Sequence, residues 1–218
     1  MKNILNIFML LSLMSMPTLV DAQDEAITIT PTDQPYPAGN QPTNGTMAAF
    51  ISIFDDTNVG NLHVYAPTQS EPSMDYFYHG TDITGSFDEM LPRKLKRTLR
   101  RKGSKLYATR NIRGVNGEYY ILRTTDRRGH PTLDLYELQG TKLVKVMTLA
   151  NAKCKKSGGC RQLNSWIQDV NGDTRLDIIQ KESKNPRKVM VYTQNRAGKF
   201  VRNNSVDVDG VDYQLESK

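Results

Sequence analysis

The chain is 218 residues long, with 24% charged side chains, two cysteines and a formal net charge of +6. That length supports one domain with a sizeable core and an added arm, which excludes a mini-protein held mainly by disulfides. The positive excess is local: Arg93, Lys94, Lys96, Arg97, Arg100, Arg101 and Lys102 are seven cations with no anion among them, and the remainder is close to balanced.

The chain opens with the short cationic start Met1-Lys2-Asn3 and an almost wholly apolar run from Ile4 to Met16. Pro17 breaks the run and Val20-Asp21-Ala22 offers small-residue spacing, so residues 1–22 read as a cleaved secretory signal and the protein as secreted or periplasmic. The apolar stretch is shorter than the ~20 residues of a membrane span, and no later stretch is apolar enough to cross. No cysteine follows the cleavage point, so a bacterial lipid anchor is not expected. Residues 23–46 are rich in Thr, Pro, Gln, Asn and Gly and read as a flexible arm, because they bury too little apolar surface to offset ordering.

A single β-rich domain is expected over 47–218. Phe50 to Phe54 reads as a strand, Asp55 to Asn61 as a turn, Leu62 to Tyr65 as a second strand and Asp75 to Tyr78 as a third. Ser86-Phe87-Asp88-Glu89 has the spacing of a capping box. Leu91, Leu95 and Leu99 recur every four residues, and Pro92 suits a helix start, so a basic amphipathic helix is expected from about Pro92 to Gly103. Further strands follow at 105–112, 119–124, 133–138, 143–149, 163–167, 176–179, 189–193 and 200–201, joined by short connections carrying Gly or Asn.

Cys154 and Cys160 flank a pliable loop containing Ser157, Gly158 and Gly159. In an exported chain this pair reads as a structural disulfide, since the thiolates lack metal-binding neighbours.

Two loops share a skeleton of Asp, two residues, Gly, three residues, Leu-Asp: one begins at Asp126, the other 43 residues later at Asp169. That period suits propeller-like or repeated β-hairpin units, with room for about four between 47 and 218. The earlier copy carries Arg128 and His130 where the later has Asn171 and Asp173, so it reads as a sibling turn without metal. The fold class expected is therefore mainly β, propeller-like or a repeated meander, with one basic helix. Asp207 to Asp212 reads as an ordinary acidic turn.

The later loop, Asp169-Val170-Asn171-Gly172-Asp173-Thr174-Arg175-Leu176-Asp177, places oxygen side chains at alternate positions of a tight turn, which suits the hard cation Ca²⁺. An EF-hand is excluded, because Thr174 stands at position 6, Gln180 at position 12, and the flanks are β-rich. The run resembles the calcium loop of FG-GAP or VCBS-type repeats, the integrin-like β-propeller modules, through Asp169, Asn171, Gly172, Asp173, Asp177, Ile178 and Ile179. The resemblance implies that Asp169, Asn171, Asp173 and Asp177 supply side-chain oxygens and Arg175 a backbone carbonyl. Thr174 departs from the glycine usual in that family. With every ligand on one loop, a structural role is expected for the ion.

Catalytic motifs are missing: there is no glycine-rich phosphate loop, no Gly-x-Ser-x-Gly elbow and no His-Glu-x-x-His helix. His63, His79 and His130 stand apart. The reading is a non-enzymatic binding or scaffold module with a protein or glycan partner. Two alternatives stay open: an envelope protein whose cations at 93–102 bind an anionic surface, and a hydrolase whose carboxylates meet only in the fold. No nucleic-acid module is recognisable, and nucleic acid is not expected as a partner.

Overall fold

The computed structural model describes residues 45–57, 60–66, 80–155, 159–206 and 208. The signal, the arm up to residue 44, the strand expected at 75–78, His79 and most of the turn at 207–212 lie outside them. The elements are α1 (Gly45–Ser52), β1 (Asp55–Thr57), β2 (Asn61–Val64), β3 (Thr81–Asp82), a 3₁₀ turn (Gly85–Met90) and α2 (Arg93–Leu99). Then come β4 (Lys105–Gly114), β5 (Gly117–Thr125), β6 (Pro131–Gln139), β7 (Lys142–Cys154), β8 (Cys160–Gln168), β9 (Asp177–Glu182), β10 (Asn185–Gln194) and β11 (Phe200–Arg202).

All eleven strands belong to one sheet, ordered β1-β4-β5-β6-β7-β8-β9-β10-β11, with β2 joined to β8 and β3 to β4. From β4 onward it is a continuous antiparallel meander, because short turns join strands whose side chains alternate. The described strands thus form a single open sheet rather than separate blades.

The sheet curls. Ile112, Ile121, Leu133 and Leu149 from β4 to β7 meet Val64, Ile167 and Ile178 from β2, β8 and β9 in one buried cluster. The curl is set where β8 leaves β7: β7 pairs with Cys160 to Leu163, and β2 takes over opposite Ser165 to Gln168. The freed β7 carbonyls are satisfied by side chains, with Ser165 Oγ donating to Leu149 O at 2.5 Å and Gln180 Nε2 to Thr148 O at 2.8 Å. On the opposite face, α1, the 3₁₀ turn and α2 cover β4 to β6 through Phe50, Phe54, Met90, Leu95, Tyr120 and Leu122.

Three local expectations are corrected. The stretch expected as a strand at 50–54 lies largely in α1, because Met47, Phe50, Ile51 and Phe54 follow helical rather than alternating spacing and face the core. Phe50 and Phe54 meet edge to face at 5.2 Å, and Phe54 meets Tyr120 at 5.0 Å. Asp55 to Thr57, expected as a turn, pairs in parallel with β4. Asp55 reaches Arg110 at 3.6 Å and Asp56 reaches Arg113 at 3.1 Å, so cations across the pair anchor the acidic strand. The capping box at Ser86 does not form: Ser86 Oγ bonds Thr84 Oγ1 at 2.6 Å, and the segment is a 3₁₀ turn.

Candidate metal centre

The loop between β8 and β9 is built around the Asp169 carboxylate. It accepts the backbone N–H groups of Gly172, Asp173 and Thr174 at 2.8, 3.2 and 2.7 Å. Asn171 Oδ1 accepts the Asp173 N–H at 3.0 Å. Asp173 Oδ1 accepts the Arg175 N–H at 2.9 Å, while its Oδ2 accepts from the Arg175 guanidinium at 3.2 Å. Wrapping amides around one carboxylate forces left-handed backbone at Gly172 (φ +73°) and Thr174 (φ +66°). Among the described residues Thr174 is the one non-glycine in that region, a costly place for a β-branched side chain.

Asp177 closes the loop and is fully buried. Its two oxygens accept the N–H of Val170 at 3.1 Å and of Gln194 at 3.2 Å, so it ties the loop to β10. Burial pushes its carboxyl above the ordinary range, and nearby Asp173 and Asp169 push the same way against those two N–H donors. Gln194 extends the tie: its amide donates to Tyr119 Oη and to Gly198 O, and accepts from Asn116 Nδ2 at 3.1 Å. Beside it, Leu176 packs so closely on the β4–β5 turn that a Cβ on Gly114 would lie 2.8 Å from Leu176 Cδ1. Neither Gln194 nor Gly114 carries a sequence signal for this role.

The donor set suits a hard cation. Three carboxylates and one amide oxygen share the loop, and each keeps acceptor capacity beyond its bonds to backbone. They do not converge as they stand, for among the described residues no three acidic, histidine or cysteine side chains gather tightly enough to hold a metal. The Arg175 guanidinium on Asp173 Oδ2 occupies the position a cation would contest.

The sibling loop differs from expectation. Asp126 closes a five-residue turn, with its N–H donating to His130 O at 3.1 Å and its Oδ1 accepting from Arg128 and His130 N–H at 2.8 and 3.0 Å. Its structural counterpart is Asn195, whose N–H donates to Lys199 O at 2.9 Å and whose Oδ1 accepts from Ala197 and Lys199 N–H, both at 3.0 Å. Asp134 stands mid-strand in β6, paired with Lys145 at 2.6 Å, whereas Asp177 opens β9. The shared spacing therefore folds into two different turns.

Cys154 and Cys160 are cross-strand partners at the end of the β7–β8 hairpin and form a disulfide, with a Cα separation of 4.0 Å. The basic segment is only partly helical: Arg93, Lys94, Lys96 and Arg97 belong to α2, and Arg100, Arg101 and Lys102 follow its end in a turn closed by Gly103 at φ +80°. Leu91 and Leu95 are buried, and the cations other than half-buried Lys96 are exposed. Arg100 approaches Asp88 at 3.9 Å with its side chain 76% exposed.

A cleft of about 640 Å³ beside the 3₁₀ turn is lined by Asp88 and Glu89. Consecutive residues on a 3₁₀ turn point about 120° apart, so these two do not face each other as an acid–base couple. His63 stacks on Trp166 at 4.5 Å, and His130 bonds Asp126 at 3.1 Å. Among the described residues no helix is long and apolar enough to cross a membrane.

No family model, curated protein or solved structure matches the chain.

Proposed function

We propose that this chain is an exported, non-enzymatic β-domain that works as a binding or scaffold module, with the β8–β9 loop as a Ca²⁺ clamp. Asp169, Asn171, Asp173 and Asp177 would supply side-chain oxygens and Arg175 its carbonyl. The observation that carries the reading is Asp177: a fully buried carboxyl whose proton is held more tightly by burial and by two neighbouring aspartates. A divalent cation offsets that repulsion more fully than one guanidinium, because its charge is doubled and central. The left-handed Thr174 adds support, since backbone strain of this kind collects at functional loops. The ion would lock the loop to β10 through Asp177 and Gln194. The cross-strand disulfide is in keeping with an oxidising compartment. Calorimetric titration of the full chain with Ca²⁺ tests the reading: one site is expected, abolished by Asp169→Ala, and the absence of binding heat and of stabilisation contradicts it.

A second reading is favoured by α2, whose leucines are used by the core and whose cations face solvent. In this reading residues 93–102 dock on an anionic envelope surface. Salt-sensitive retention on anionic vesicles, lost on neutralising Arg97, Arg100 and Arg101 together, is the expected result; retention indifferent to either refutes it.

A further inference from the structure

The sheet has an open margin where it meets the end of the described chain. β11 pairs only with Tyr192 to Gln194 of β10, and Asn203 N–H adds one bond to Val191 O at 2.9 Å. No described strand pairs with the outer edge of β10 before Val191. The direction of the backbone there is fixed by two bonds. Gln194 N–H turns inward to Asp177, and Val191 O turns outward to Asn203. By strand alternation, Val189 presents its N–H and C=O outward as well. An unpaired edge is a template for an extended segment.

The neighbourhood indicates what fits. A cleft of about 460 Å³ runs beside this edge, with Arg187 and Lys188 on β10 and Val206 and Val208 of the departing chain on its walls. Val206 and Val208 pack on the small cluster of Trp166, Ile179 and Val191 that lies across β8, β9 and β10. The chain therefore arrives at the open edge at Val208. Beyond Gly210 it reads Val211-Asp212-Tyr213-Gln214-Leu215-Glu216, apolar and polar residues in strict alternation. That is the pattern of a strand with one covered face. Its polar face carries Asp212 and Glu216, opposite in sign to Lys184, Arg187 and Lys188. Six residues of strand cover about 20 Å, the length of the unpaired stretch 185–190.

We infer that residues 211–216 dock on the outer edge of β10 as a further strand of the same molecule. Val211, Tyr213 and Leu215 extend the apolar row of Trp166, Ile179 and Val191, and the acidic residues lie along Arg187 and Lys188. The consequence is an edge covered by the protein's own tail and closed to pairing with another chain.

Amide hydrogen exchange of the full chain, followed residue by residue, tests this. Val189 N–H is expected to exchange about 100-fold or more slower than an open amide, at every protein concentration. Tyr213→Pro removes a backbone donor in the middle of the docked segment and is expected to abolish that protection while leaving the Ile121 N–H protected. Should Tyr213→Pro unsettle the core, Asp212→Lys with Glu216→Lys reverses the charge match and is expected to cut Val189 protection at least tenfold. An open Val189 amide in the wild type overturns the inference. So does protection that survives both variants, which means another occupant, or protection that grows with concentration, which means a second copy.

Discussion

The backbone N–H of Gln194 donates to Asp177 Oδ1 at 3.2 Å, joining the last residue of β10 to the first of β9 through a buried carboxylate. The same carboxylate holds Val170 at the start of the loop. Loop geometry and sheet curl therefore share one acidic group, and its charge state acts on both.

That charge state gives a pH dependence. Asp177 holds its proton more tightly folded than unfolded, through burial and then Asp173 and Asp169. Its stabilising contribution is complete below the ordinary aspartate value of about 3.9 and is lost as pH rises through the elevated folded value. In metal-free protein, melts across this window should show an Asp177 component falling with pH, absent from Asp177→Asn. An unchanged pH slope in that variant would contradict the assignment.

Gly114→Ala tests the contact between the β4–β5 turn and the loop. The added methyl would fall 2.8 Å from Leu176 Cδ1 and 2.9 Å from Cγ, so Leu176 must move out of its core position. A loss of about 1–3 kcal/mol is expected, as for other overpacked sites. A denaturant midpoint equal to wild type would show that the loop is not clamped against β4.

At Thr174 the sign of the effect is informative. Glycine relieves the left-handed strain but frees the unfolded chain and loses the 2.6 Å bond from Thr174 Oγ1 to Asp173 O. The strain of a β-branched residue there is the larger effect, so Thr174→Gly should stabilise the protein by on the order of 1 kcal/mol. Destabilisation of that size is expected instead if the backbone at 174 is not left-handed.

Asp126 and Asn195 make the same pair of backbone bonds, so the turn at 126–130 needs an acceptor oxygen rather than a charge. Asp126→Asn should cost less than about 1 kcal/mol, and Asp126→Ala more, by thermal melting at neutral pH. Burial raises the Asp126 carboxyl, but the N–H groups of His130 and Arg128 and the His130 ring outweigh it, and the net shift is downward. Its contribution is present above the ordinary aspartate value and lost as pH falls through the lowered folded one, a loss that Asp126→Asn removes.

The strands from β4 to β11 are legible because their apolar residues alternate and Gly or Asn marks the turns between them. α1 is not, since Ile51 and Ile53 among phenylalanines imitate a strand, and the deciding residue, Met47, lies upstream. β1 is hidden for another reason: Asp55 and Asp56 look like a turn until Arg110 and Arg113, far along the chain, are beside them. The acidic loop is visible residue by residue, but its anchor on Gln194 is a backbone N–H, which no side chain announces. The match between Asp126 and Asp169 is a coincidence of letters, whereas the match between Asp126 and Asn195 is one of hydrogen bonds.

The central claim is that the loop from Asp169 to Asp177 binds Ca²⁺ and thereby holds β9 to β10. The most direct measurement is the thermal midpoint of the full chain in chelator and in excess Ca²⁺, for wild type and Asp173→Ala. Binding at a hundredfold excess over Kd adds about 2.7 kcal/mol, so the wild-type midpoint should rise by about 5–10 °C and that of Asp173→Ala should not move. A wild-type midpoint that is the same in Ca²⁺ and in chelator would contradict the account.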